Sequence, residues 1–284
     1  MAPMSRRLIL LDIDGTLVGR THRVPADAAQ AVKAAQANGH LVMICTGRAS
    51  SEIEGHILEV GFDGLIAVSG AYIEVGGMMC GERFIKPDVV TRATAVLDKL
   101  GVDYLWQSSK GMWATARYLE RLMVVARFGR TDEELSRWHD IDDSRREADE
   151  LGWGIGELVP ASKGTFLVPD GLDLSVDDVR RALGDDLVTI NGSMGAFAKV
   201  NGEVMIPGVT KGSALRDVAT LMDIPMSRTV AIGDSDNDLA MLEMAGTAVA
   251  MGNGADSVKR IADFVTDDVD GGGIRNAFSR LHLI

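Results

Sequence analysis

The stretch Leu8-Ile9-Leu10-Leu11-Asp12-Ile13-Asp14-Gly15-Thr16 decides how the rest of the chain is read. Four consecutive apolar residues fit a parallel strand covered on both faces, where no solvent side demands alternation. Two aspartates follow as the run ends. A strand period of two puts Asp12 and Asp14 on the same side as the chain leaves the sheet. Gly15 permits a tight turn there, since it has no β-carbon to obstruct one. A plain surface turn is the alternative reading, because Asp and Gly are common turn formers.

Outward from this stretch, strand and helix alternate. Pro25–Asn38 is Ala-rich, with apolar positions 28, 31, 32 and 35 on one helical face and Gly39 as a stop. A strand at Leu41–Cys45, a helix at Ser51–Val60 and a strand at Leu65–Val68 are expected next. The rhythm returns later with helix Ser213–Met222, strand Thr229–Ile232 and helix Asp236–Met244. Strand Thr247–Ala250, helix Ala255–Ala262 and a short strand at Phe264-Val265 complete it. This pattern predicts an α/β fold, a doubly wound parallel sheet that binds ligands at the carboxyl ends of its strands. Residues 1–82 and 207–284 are read as that core.

Residues 83–206 differ in composition and are read as an inserted α+β domain. All four tryptophans (106, 113, 138 and 153) lie there, as does an acidic segment at 132–150. The tryptophans are expected to form mainly that domain's own core. Strands at Val102–Trp106, Thr165–Val168 and Leu187–Ile190 are expected, with helices at Asp88–Leu100 and Ser175–Leu183. No element is assigned between 107 and 160.

Composition narrows the function classes. The 284 residues are 46% apolar and 25% charged, which excludes a disordered, collagen-like or coiled-coil chain. A formal net charge of -12 repels nucleic-acid backbones and anionic membranes, and no basic run offsets it. Neither is an expected partner. Cys45 lies in an apolar run and reads as a buried free thiol; two cysteines are too few for a disulfide framework. The histidines show no zinc spacing. The apolar stretch behind Arg6 and Arg7 ends at Asp12, too short for a signal-peptide core or a membrane span. A reducing, cytoplasmic setting is expected.

A second acidic group, Gly233-Asp234-Ser235-Asp236-Asn237-Asp238, follows the strand at Thr229–Ile232. One Asp could cap the next helix, but a cap needs one acid and not three. Two carboxylates about 4 Å apart repel by about 4 kcal/mol at an effective dielectric near 20. If Asp12, Asp14 and Asp234 converge, a divalent cation is the natural compensation, and all-oxygen ligation favours Mg²⁺. Thr46-Gly47-Arg48 and Lys211-Gly212-Ser213 supply a hydroxyl, free amides, an ammonium and a helix N-terminus, which suit a bound anion. Singly, Thr46 could be a helix cap and Lys211 a solvated lysine; together they would line one crevice with the acids. Gly252-Asn253-Gly254 follows a strand, yet position 257 is Ser, so the dinucleotide fingerprint is incomplete.

In this order, Asp12-Ile13-Asp14-Gly15-Thr16, Thr46-Gly47-Arg48, Lys211 and Gly233–Asp238 resemble the four motifs of the haloacid dehalogenase superfamily of phosphatases. Ala250-Met251-Gly252-Asn253-Gly254 and Val258–Ala262 are similar to its Cof-type branch, whose type IIB cap is inserted between the second and third motifs. The chain departs from that branch at Ser69-Gly70-Ala71, where Asn-Gly-Ala is usual, and at Asp270-Gly271-Gly272-Gly273. The resemblance implies a Mg²⁺-dependent phosphomonoester hydrolase working through an aspartyl-phosphate. Asp12 would be the nucleophile and Asp14 the general acid and base. Asp12, the Asp14 backbone carbonyl and Asp234 would hold the metal, with Asp238 orienting a metal-bound water. Thr46, the Gly47 amide, Lys211 and Asn237 would bind the phosphoryl oxygens. The expected partner is a small phosphorylated metabolite, first a sugar phosphate, with nucleotide, flavin-precursor and pyridoxal phosphates as alternatives. A sugar phosphomutase, a non-catalytic phospholigand sensor and a scaffold remain the other readings.

Overall fold

Every residue of β1 (Leu8–Leu11) is buried, as coverage on both faces requires. The structure, a computed structural model, describes residues 6–21, 23–53, 55–126, 138–192 and 198–284, with backbone alone at 122–126. After β1 come β2 (Leu41–Cys45), β3 (Gly64–Ala67), β4 (Tyr72–Val75) and β5 (Met78–Glu82). The chain then forms β6 (Asp103–Ser108), β7 (Gly111–Ala114), β8 (Trp138–Asp140), β9 (Lys163–Leu167), β10 (Val188–Asn191) and β11 (Asn201–Met205). It closes with β12 (Thr229–Gly233), β13 (Thr247–Ala250) and β14 (Phe264–Val265). Two units result: Met1–Arg48 with Ile53–Gly81 and Val209–Ile284, and Ala49–Glu52 with Glu82–Gly208.

The first unit holds an eight-stranded sheet in the order β14-β13-β12-β1-β2-β3-β4-β5. From β14 to β3 all neighbours are parallel, while β4 runs antiparallel to β3. Leu11 stands level with both Ile232 and Ile44, so β1, β2 and β12 end together. That register brings Asp12, Thr46 and Asp234 to one edge of the sheet. On one face Leu8, Leu10, Met43 and Cys45 pack with Leu215 and Val218 of helix Lys211–Leu221 and with Met241 of helix Leu239–Met244. Helices Ala26–Ala37 and Gly273–Arg280, which pack on each other, bury Ala28, Ala31, Val32 and Ala35 and Ile274, Ala277 and Phe278.

Three details differ from the sequence expectation. The helix expected at Ser51–Val60 is a 3-10 turn at Ser50–Glu52 and a single helical turn at Gly55–Leu58. The Glu52 carboxylate accepts from the Ala49 amide at 2.7 Å and closes the turn early, and Gly55 is a poor helix interior. The helix expected from Asp236 begins as a 3-10 turn, Asp236–Asp238, and becomes α-helical only at Leu239–Met244. The antiparallel strands β4 and β5 were not expected. Their turn is Gly76-Gly77, both at positive φ, the backbone that a two-residue hairpin favours.

The second unit has a six-stranded sheet, β10-β11-β9-β6-β7-β8. One face packs Tyr104, Trp106, Phe166 and Val204 against Val89, Val90 and Leu97 of helix Pro87–Leu100. That helix starts with Pro at its first position and ends at left-handed Gly101, the usual asymmetry of helix ends. Trp106, whose Nε1 donates to Thr94 Oγ1 at 3.0 Å, and Trp113 belong to this core. Trp153 does not, being 52% exposed, and Trp138 packs on a separate smaller cluster. Of the acidic segment, 132–137 lie outside the described residues; the rest includes helix Ile141–Leu151, capped by Asp140, whose side chain accepts from the Asp142 amide at 2.7 Å. Cys45 is buried and Cys80, on β5, is exposed. Among the described residues no helix is long and apolar enough to cross a membrane.

Candidate active site

Lys211 opens its helix from a buried position, 1% exposed, and not as a solvated lysine. Its Nζ donates to Asp12 Oδ1 at 2.7 Å, to Asp238 Oδ1 at 2.6 Å and to Asn237 Oδ1 at 3.2 Å. Thr210 caps the helix by accepting from the Ser213 amide at 3.0 Å, which fixes the direction in which Lys211 leaves the first turn. Asp12, Asp234 and Asp238 each offer a carboxylate oxygen within 4.8 Å of the others. One lysine against three acids leaves two negative charges unbalanced.

The electrostatics follow from that arithmetic. Burial first, and Asp238 second, push the Asp12 carboxyl well above the usual carboxylate range, against the pull of Lys211. Burial, with Asp238 beside it, raises Asp234 to about 6. Burial alone would weaken the Lys211 ammonium, but Asp12 and Asp238 outweigh it and hold its pKa above the ordinary lysine value. Asp238 is fully engaged: its second oxygen accepts from the Asp234 and Ser235 amides at 2.9 and 3.1 Å. Thr16 Oγ1 donates to Asp234 Oδ1 at 2.9 Å. Among the described residues this leaves Asp12 Oδ2 and Asp234 Oδ2 without hydrogen bonds. Two open carboxylate oxygens in a site carrying two surplus negative charges fit a divalent cation, and the all-oxygen donor set suits Mg²⁺. Gly15, at φ +82°, is required here because a β-carbon would lie 2.3 Å from Asp234 Oδ2.

Asp12 is buried and Asp14 is exposed. β1 ends at Leu11, and the Leu17 and Val18 amides both donate to the Ile13 carbonyl, which curls the chain away from the strand. Asp14 is exposed and receives both Arg48 Nε at 2.9 Å and an Arg48 terminal nitrogen at 2.6 Å. Thr46 does not cap a helix; its hydroxyl accepts from the Arg48 amide at 3.1 Å, shaping the turn around Gly47.

One contributor escaped sequence reading. Val68 and Ser69 both adopt positive φ, 51° and 54°, which costs free energy in a non-glycine residue. Their amides donate to the carbonyls of Arg48 and Thr46 at 2.8 and 3.0 Å. Gly70 then presses on Thr210, where a β-carbon would stand 2.3 Å from the carbonyl oxygen. The strained turn therefore joins the Thr46–Arg48 loop to the start of the Lys211 helix. Among the described residues the buried Ser69 hydroxyl has no hydrogen-bond partner. Ser69→Ala is expected to raise stability by about 1 kcal/mol, read in urea melts, since it removes an unsatisfied buried group and keeps the backbone bonds.

The model of the haloacid dehalogenase-like hydrolase family matches residues 9–278. This chain belongs to that family. Phosphatase YwpJ of Bacillus subtilis is 27% identical, covering 97% of this chain and 99% of its own. The 5-amino-6-(5-phospho-D-ribitylamino)uracil phosphatase YitU of the same organism is 27% identical over 91% of each chain. A solved structure of a haloacid dehalogenase-like hydrolase from B. subtilis superposes with a TM-score of 0.77 at 26% identity, covering 97% and 99%. The fold is the Rossmann-like α/β core of the haloacid dehalogenase-like hydrolases with an inserted α+β cap. Membership and the converging acids make the chain an enzyme, a hydrolase of the phosphatase type.

Proposed function

We propose that this protein is a Mg²⁺-dependent phosphomonoesterase of the Cof-type branch with a type IIB cap. The single observation that carries the chemistry is buried Lys211 bridging Asp12 and Asp238 beside Asp234. In this reading Asp12 attacks phosphorus in line, forming an aspartyl-phosphate as the bond to the leaving oxygen breaks. Asp14 gives that oxygen its proton, then takes one from the water that attacks phosphorus and releases Asp12 as carboxylate. Thr46, the Gly47 amide, Lys211 and Asn237 hold the phosphoryl oxygens, stabilising charge spread over them. Asp12, the Asp14 carbonyl and Asp234 would hold Mg²⁺, which supplies positive charge to the phosphoryl group. Asp238, occupied by Lys211 and two loop amides, is read as a support for that lysine.

The cap, residues 83–206, is proposed to select the leaving group, because the core chemistry reads only a phosphoryl group. Sugar phosphate was the first sequence expectation. The comparisons favour its flavin-precursor alternative: YitU and two further relatives from B. subtilis bear the name 5-amino-6-(5-phospho-D-ribitylamino)uracil phosphatase. We infer a phosphorylated ribityl compound of that kind as substrate. Phosphate release should be measured across sugar, nucleotide, pyridoxal and ribitylaminouracil phosphates, with Mg²⁺ and with EDTA. The expected result is the highest kcat/KM for the ribityl compound and loss of all turnover in EDTA. A preference for hexose phosphates would return the substrate to the first expectation, and undiminished turnover in EDTA would remove the metal.

A further inference from the structure

The loop Gly252–Ala255 takes no part in the chemistry above, yet it touches both acid-bearing loops. Ala255 N donates to the Asp234 carbonyl at 2.8 Å, and Met251 N to that of Gly233 at 3.0 Å. Asn253 Nδ2 donates to the Gly15 carbonyl at 2.7 Å, while its Oδ1 accepts from the Val269 amide at 2.9 Å. One partner can only accept and the other only donate, so the amide has a single workable orientation. The flanking glycines have a steric reason: a β-carbon on Gly252 would meet Asp268 Oδ1 at 2.5 Å, and one on Gly254 the Asp234 carbonyl at 3.1 Å. Close approach to the protein's own backbone thus accounts for Gly-Asn-Gly, with no nucleotide involved.

Gly15, which follows Asp14, is held through both its amide and its carbonyl. Gly15 N donates to the Val18 carbonyl at 2.9 Å, and the next carbonyl, that of Gly15, is the one Asn253 holds. Asp14 itself is exposed, with its carboxylate paired to Arg48, and hydrogen bonds at Gly15 hold the backbone that follows it. We propose that Asn253 is a positioning residue for Asp14, bracing the nucleophile loop against the Val269 segment so that the Asp14 carboxyl meets the leaving oxygen. The inference rests on the reading of Asp14 as general acid.

The test separates positioning from folding by leaving group. A mispositioned acid matters most when the departing oxygen needs a proton, whereas a weakened fold affects all substrates alike. kcat/KM reports the steps up to departure of that group. Benzyl phosphate, with a poor leaving group, and 2,4-dinitrophenyl phosphate, with a good one, are compared for wild type, Asn253→Asp, Asn253→Ala and Asp14→Asn, each with its Tm. Asn253→Asp keeps the acceptor for Val269 but sets an oxygen against the Gly15 carbonyl; Asn253→Ala removes both bonds without adding charge. Both are expected to lose about 30-fold or more on benzyl phosphate and about 3-fold or less on the dinitrophenyl ester. Asp14→Asn should show the same split, more strongly. If Asp14→Asn shows the split and the Asn253 variants do not, whether through equal losses or none, the positioning role is overturned alone. If Asp14→Asn loses both substrates equally, the acid assignment falls and takes the positioning role with it.

Discussion

Asp12→Asn is expected to abolish phosphate release while leaving a folded protein. Removing a nucleophile of this kind lowers turnover on the order of 10⁴-fold or more. The stability side runs the other way. Asp12 is a buried carboxyl whose ionised form is disfavoured by burial and by Asp238. The amide keeps an oxygen for Lys211 and removes one of three crowded acids, so without added divalent cation Tm should hold or rise. Inorganic phosphate should still bind, because Thr46 and Lys211 are untouched. Phosphate release and thermal melts on one preparation check both halves; turnover near wild type would exclude attack by Asp12.

Lys211→Met should cost both activity and stability. Met extends a helix nearly as well as Lys, so the helix Lys211–Leu221 survives. What fails is the buried charge balance: Asp12 and Asp238 lose the ammonium 2.7 and 2.6 Å away. Breaking a buried ion pair by removing one partner costs about 3–5 kcal/mol. Protonation of Asp12, already favoured by burial, will absorb part of it. Activity should fall about 10²–10³-fold and equally for every substrate, since the lysine is assigned to the shared phosphoryl group. Mg²⁺ should raise the Tm of this variant more than that of wild type, because a cation binding only the folded state offsets the exposed deficit. A loss confined to one leaving group, or an unchanged Tm, would contradict the central place given to Lys211.

The parallel core was legible because its strands are unbroken apolar runs, such as Leu8–Leu11 and Leu41–Cys45, and such runs need no partner to be recognised. β4 and β5 were missed since β5, Met78–Glu82, is exposed along most of its length and shows no alternation of apolar and polar residues. The Gly76-Gly77 turn was the signal available. Asp12, Asp234 and Lys211 could be paired by motif order, but their distances could not. The pairing of Asp14 with Arg48 was not legible, because it is made in the turn that the hydrogen bonds to the Ile13 carbonyl close after β1. The strained Val68–Gly70 turn was illegible: nothing in Val-Ser announces positive φ, which tertiary bonds to Arg48 and Thr46 impose.

The two cysteines offer opposite chemistry. Burial pushes the Cys45 thiol up, and its place at the end of β2 keeps reagents away. Cys80 stands exposed on the edge strand, one residue before the chain leaves the first unit at Gly81. The native protein therefore carries one addressable handle for a maleimide dye or spin label, placed where the chain passes from one unit into the other. No cysteine need be engineered in or out for an optical or magnetic probe to sit at that passage.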